Sequence, residues 1–286
     1  RDDLPASVTR LPDTEHTAPT HAHAGDIGTL QVLRTRSRRS RSPFAVGPKA
    51  VVTEIETAHV DQIVAATDLI YLESQFFRSE PIISALERVA RAQPELRLIL
   101  LVPAAPEDVA FDGSTGADAK HGEWMQVQGI DRLHAAFGDR FDAFCLVKDR
   151  PAPDAEETDH RRFVAGRAII YLHSKVSIFD GRTAIVSSAN LNGRSMQWDT
   201  ECGVLWQNET GVADFQYRLW ANTLRDHLTR DTDCSGEAAL TLWRRAADDV
   251  ARGRLEGPCC PLTAPYPLER ARSFAQRIPF VPSNLI

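Results

Sequence analysis

The chain has 286 residues, 43% of them apolar, enough for a sizeable core in one large or two ordinary domains. A formal charge of -6 excludes a global electrostatic attraction to nucleic acid, whose affinity rests on many neutralised phosphates, so any phosphate chemistry must be local. The five cysteines (Cys145, Cys202, Cys234, Cys259, Cys260) lack C-x-x-C spacing and signal neither a disulfide framework nor a zinc site, and apolar runs such as Leu98 to Val102 fall far short of the roughly 20 residues a membrane-spanning helix needs. Contact with a membrane is therefore expected from its surface only, as a soluble or peripheral protein.

Residues 1–27, rich in Thr, Pro, Asp, Ala and His, read as a linker or mobile arm; the HAH at His21 to His23 has too few further ligands nearby for a metal site. The chain opens on Arg1 without a basic, apolar, small-residue leader, which points to a piece of a longer polypeptide. Leu30 to Leu33 reads as a short strand running into RTRSRRSRS, 34–42, a basic loop able to attract anionic head groups. Val51, Ile55, Val60 and Ile63 give Ala50 to Ala66 a helical stripe.

LIYLESQ, 69–75, follows as a strand, and Ser79-Glu80-Pro81 marks a helix start, serine as cap and proline where its missing N–H costs nothing. LRLILLVP, 96–103, suits a strand buried on both faces. After a surface loop at 105–120 come a helix near Glu123 to Phe137, a strand near Phe141 to Val147 and an exposed loop at 149–162. A hairpin at 172–190, a strand at Cys202 to Trp206 and helices at Val212 to Leu228 and Gly236 to Val250 complete the order, before a proline-rich tail. Alternating helices and strands predict an α/β fold, a mixed central sheet flanked by helices on both faces. The expected divisions are an arm at 1–27, a principal domain at 28–230 and a helical extension at 231–286.

The hairpin LHSKVSIFDGRTAIVSSAN carries the chemistry. In a strand His173, Lys175 and Ser177 share one face, while Leu172, Ser174, Val176 and Ile178 share the other. Asp180-Gly181 is a turn pair, which leaves Asp180 an ordinary turn residue on its own evidence. The return strand brings Ser188 and Asn190 back beside His173 and Lys175, a patch suited to a phosphodiester: ammonium and carboxamide donate to the phosphate oxygens, and imidazole attacks phosphorus or protonates the leaving oxygen.

The spacing H-x-K-x-x-x-x-D at His173, Lys175 and Asp180, followed by Ser187, Ser188 and Asn190, resembles the signature of the phospholipase D superfamily, with Ser187 where the family usually has glycine. NLNGRSMQWDTE, 190–201, and IYLESQFF, 70–77, resemble further elements of it, the latter one that opens the C-terminal half of phospholipase D; QVLRT, 31–35, fits the strand before it. The resemblance covers roughly 28–230. It implies that His173 is the acid protonating a departing alcohol and then the base activating water or an acceptor alcohol, after another histidine has formed a phosphohistidine. Lys175, Asn190 and Ser188 would hold phosphate oxygens. Glu201 or Asp180 would orient His173. Glu73 and Gln75, expected on one strand face with Tyr71, would line the cleft floor or serve as buried hydrogen-bonding residues. No metal or other cofactor is implied.

In-line displacement needs groups on both sides of phosphorus, yet no second H-x-K occurs in the chain. The partner expected is a missing N-terminal half-domain carrying that motif, or a second copy as a homodimer. The substrate the resemblance implies is a glycerophospholipid at a membrane surface, its head group hydrolysed or exchanged; a cardiolipin synthase-type transferase, a single-motif homodimeric nuclease and an inactive binding module are the alternatives.

Overall fold

The computed structural model describes residues 27–40, 47–152, 161–279 and 281. The arm at 1–26 with its histidines, the end of the basic run, the middle of the 149–162 loop and the end of the tail lie outside the described residues.

The first strand, β1 (Thr29–Arg38), is longer than expected and takes in the start of the basic run: Leu33 and Thr35 turn inward while Val32, Arg34 and Arg36 face solvent. Ala50 to Ala66 divides into β2 (Lys49–Thr53) and α1 (Glu54–Ala65). Next come β3 (Leu69–Glu73), α2 (Glu80–Ala92) with Ser79 at its N-cap and a proline in its first turn, and β4 (Arg97–Leu101). The expected loop at 105–120 contains α3 (Glu107–Phe111) and the start of α4 (Ala117–Phe137). β5 (Phe141–Val147) is followed by β6 (Phe163–Val164), β7 (Arg167–Ile170), β8 (Val176–Phe179), β9 (Thr183–Ser187), α5 (Gly193–Gln197) and β10 (Glu201–Gln207). The chain closes with α6 (Glu209–Leu224), α7 (Gly236–Ala251), β11 (Thr263–Pro265) and α8 (Leu268–Phe274).

The strands form one mixed sheet in the order β2-β1-β10-β9-β8-β3-β4-β5-β7-β6, with β11 also on β5. β3, β4 and β5 run parallel and the remaining pairs antiparallel. Strand alternation sends Ile70, Leu72, Leu98 and Leu100 to one face, where α1, α2 and α4 cover them with Ile55, Ile63, Leu86, Val89, Ile130 and Leu133. Tyr71, Ile99 and Phe144 go to the other, under α6 and α7. There Tyr71, Trp220 and Trp243 pack with ring centroids 5.4–5.6 Å apart, the tilted and edge-on geometry that aromatic quadrupoles favour.

From the segment expected as an extension, Trp243 enters the second core and Thr263 to Pro265 pair with β5.

Candidate active site

The antiparallel register sets the site. Glu73 at the end of β3 lies opposite Val176 at the start of β8, Val176 opposite Val186 near the end of β9, and Ser187 opposite Gly203 near the start of β10. Gln75, His173 to Lys175, Ser188 to Asn190 and Glu201 therefore gather at one rim of the sheet, and Asp180 lies at the opposite rim.

β8 begins at Val176; just before it the Lys175 carbonyl still accepts from Ser187 N at 3.1 Å, while the Lys175 side chain bends back. Its Nζ donates to the His173 carbonyl at 2.6 Å and to Gln75 Oε1 at 3.5 Å. Asn190 Nδ2 donates to the same Gln75 oxygen at 3.3 Å, and Gln75 Nε2 donates to the Tyr171 hydroxyl at 2.8 Å. One carboxamide thus draws lysine and asparagine together. Lys175 is only 9% exposed; burial pushes its pKa down, and the nearby Glu201 carboxylate pulls it back up. An ammonium has three hydrogens, and the two acceptors here are neutral, so charge and one donor remain for an anion.

Asn190 is held from the other side as well. Leu191 N donates to Ser74 Oγ at 3.1 Å, and the Leu191 carbonyl accepts from Arg78 N and Ser79 N at 2.6 and 2.9 Å. Asn190 Oδ1 is a buried acceptor without a donor among the described residues.

His173 is exposed, and among the described residues its ring meets no hydrogen-bonding side chain. Neither carboxylate expected to orient it does so. Glu201 accepts from the Ser188 hydroxyl, and that hydroxyl in turn accepts from Cys202 N at 3.1 Å. Asp180 accepts from Thr67 N, Asp68 N and Leu69 N at 2.9–3.0 Å and from the Thr67 hydroxyl at 3.3 Å. With φ positive at both Asp180 and Gly181, it forms the turn its dipeptide suggested and locks the entry to β3.

β3 ends at Glu73, so Gln75 lies beyond the strand. Glu73 stays on the Tyr71 side, accepting from the Tyr71 hydroxyl at 2.8 Å and from Ser174, and burial raises its pKa. It is a buried hydrogen-bonding residue beneath the hairpin. Phe77 is buried in the core.

Sequence reading passed over His59. Its Nδ1 donates to the Ile55 carbonyl at 2.8 Å, which leaves Nε2 as the acceptor for the Ser177 hydroxyl at 3.0 Å, and burial pushes its pKa down to about 4. The signal was present: His59 lies four residues from both Ile55 and Ile63, on the buried stripe of α1.

A family model described as "Cardiolipin synthase, PLD-like domain" matches residues 59–221. The chain is 28% identical over 210 residues to phospholipase D zeta 1 of Arabidopsis thaliana, covering 63% of this chain and 18% of that protein. To phospholipase D1 of Homo sapiens it is 26% identical over 235 residues, covering 73% and 20%. The chain thus spans about a fifth of the length of these relatives. Among solved structures, a phosphatidylserine synthase of Haemophilus influenzae aligns with TM-score 0.44 and 14% identity, over 79% of this chain and 44% of that one.

Proposed function

Because the chain belongs to the phospholipase D superfamily, we propose that it is a phosphodiesterase that hydrolyses or exchanges the head group of glycerophospholipids, with His173 as its acid and base. The observation that carries this reading is the joining of Lys175 and Asn190 on one oxygen of Gln75, beside an exposed imidazole. The curated relatives named phospholipase D support the lipid over other diesters.

An imidazole supplied by a second domain or a second copy attacks phosphorus; its P–N bond forms as the P–O bond to the head-group alcohol breaks. His173 gives its proton to the departing oxygen. Neutral His173 then takes a proton from water or an acceptor alcohol, whose oxygen displaces the first imidazole and restores both histidines. Lys175 donates to the non-bridging oxygens, where negative charge sits in every state, and the second hydrogen of the Asn190 amide adds to it. Hydrogen bonds within the protein fix both groups before substrate arrives, so little ordering remains for the reaction.

The test is His173→Ala assayed on phosphatidylcholine vesicles by choline release and by transfer to ethanol. Loss of at least ~10²-fold in turnover is expected, the lower end for a positioned acid and base, with an unchanged melting temperature. A variant of full activity overturns the assignment.

A further inference from the structure

The side chains of Leu30, Val32, Arg34, Arg36 and Arg38 alternate onto one face of β1, and all are exposed. Arg34 is paired with Glu54 at 2.7 Å. Arg36, Arg38, Arg39 and, on β2, Lys49 have no acidic partner among the described residues. Arg38 stands directly opposite Lys49 in the register, and like charges so placed destabilise a sheet. In a chain of net charge -6, this concentration of cations is a local inversion that no acidic side chain among the described residues compensates. An anion outside the chain would.

The place and rigidity of the ribbon narrow the choice. Thr35 lies opposite Glu201, so Arg36 and Arg38 continue beyond the rim that carries His173 and Lys175. The ribbon's inner face is fastened to the segment at α5: the Thr35 hydroxyl donates to the Met196 carbonyl at 3.5 Å and the Ser37 hydroxyl to the Trp198 carbonyl. A Cβ at Gly47 would come within 2.6 Å of the Trp198 ring. On the face that carries the cations, Val32 and its cross-strand partner Val204 are 64% and 37% exposed. Exposed valines gain nothing from a nucleic-acid backbone, whereas a lipid interface takes up both apolar side chains and, at its anionic head groups, cations.

We propose that the β1–β2 ribbon, through Arg36, Arg38 and Lys49, docks the protein on an anionic lipid surface with the His173 rim turned toward it. The docking deepens the lipid reading above, and it is tested by binding alone so that the two stand or fall separately. The full chain and its Arg36→Gln/Arg38→Gln/Lys49→Gln variant are sedimented with phosphatidylcholine vesicles, with and without phosphatidylglycerol. The wild type binds the anionic vesicles and is released by salt. The variant binds them about 100-fold more weakly, at about fivefold for each charge removed, while melting as the wild type does. Its turnover of a monomeric short-chain phosphatidylcholine is unchanged, which separates docking from catalysis. Equal binding to neutral vesicles, undiminished binding by the variant, displacement from vesicles by a DNA duplex, or an effect confined to a monomer–dimer equilibrium overturns the proposal.

Discussion

At the scale of single residues, the motif that suggested the chemistry separates into two jobs. Lys175 and Asn190 converge on Gln75 at the site rim, whereas Asp180 receives three backbone N–H groups and a hydroxyl at the opposite rim. A carboxylate so engaged holds the start of β3, and through β3 it sets where Gln75 emerges. Its contribution to the site is thereby one of position. Asp180→Ala is expected to cost about 2 kcal/mol of stability, as donors lose their acceptor, and Asp180→Asn less, since asparagine tolerates the positive φ and keeps one oxygen. Both variants should retain turnover per folded molecule. Urea unfolding beside the choline-release assay checks this; loss of turnover in a fully stable Asp180→Asn, equal to that of His173→Ala, would place Asp180 in the chemistry.

At the scale of elements, the serine standing where the superfamily usually has glycine is accommodated across the ladder. Ser187 on β9 lies opposite Gly203 on β10, and a Cβ at 203 would sit 2.8 Å from the Ser187 Cβ. The room missing at one position is supplied by its partner. Gly203→Ala should therefore destabilise by about 1–3 kcal/mol through overpacking, and markedly less when Ser187→Gly accompanies it. Equal costs in the two backgrounds, measured by denaturant unfolding, would show the pair to be uncoupled. The same register explains what could be read beforehand. Asp180-Gly181 announced its turn, and LRLILLVP its burial, because these signals are local. That 172–174 stay outside the ladder was not legible, since it follows from where β3 ends. The strand character of Arg34 to Arg38 comes from pairing with β10 and β2 rather than from arginine's own preference, and β11, three residues with a proline, has no periodicity to announce it.

At the scale of the whole molecule, His59 ties the hairpin to the helical layer and makes stability depend on acidity. It is 2% exposed, hydrogen-bonded to Ile55 in α1 and Ser177 in β8, and packed edge-on against Phe179. Its pKa in the fold is about 4 against an ordinary 6.5. Between those values the unfolded chain takes up a proton that the folded chain refuses, so stability is full above about 6.5 and falls as pH drops toward 4, by about 3 kcal/mol at most. Glu73 and Glu123 act in the opposite sense. Burial raises their pKa, so the folded state binds their protons first and gains stability on acidification. The His59 contribution is therefore best isolated by comparison with His59→Gln, whose carboxamide can still accept from Ser177 and carries no proton in this range. The variant should be less stable than wild type near neutrality and lose less on moving from about pH 7 to about pH 5, so that the two curves of melting temperature against pH converge. Parallel curves would mean that the acid sensitivity of the fold arises elsewhere and that His59 contributes packing alone.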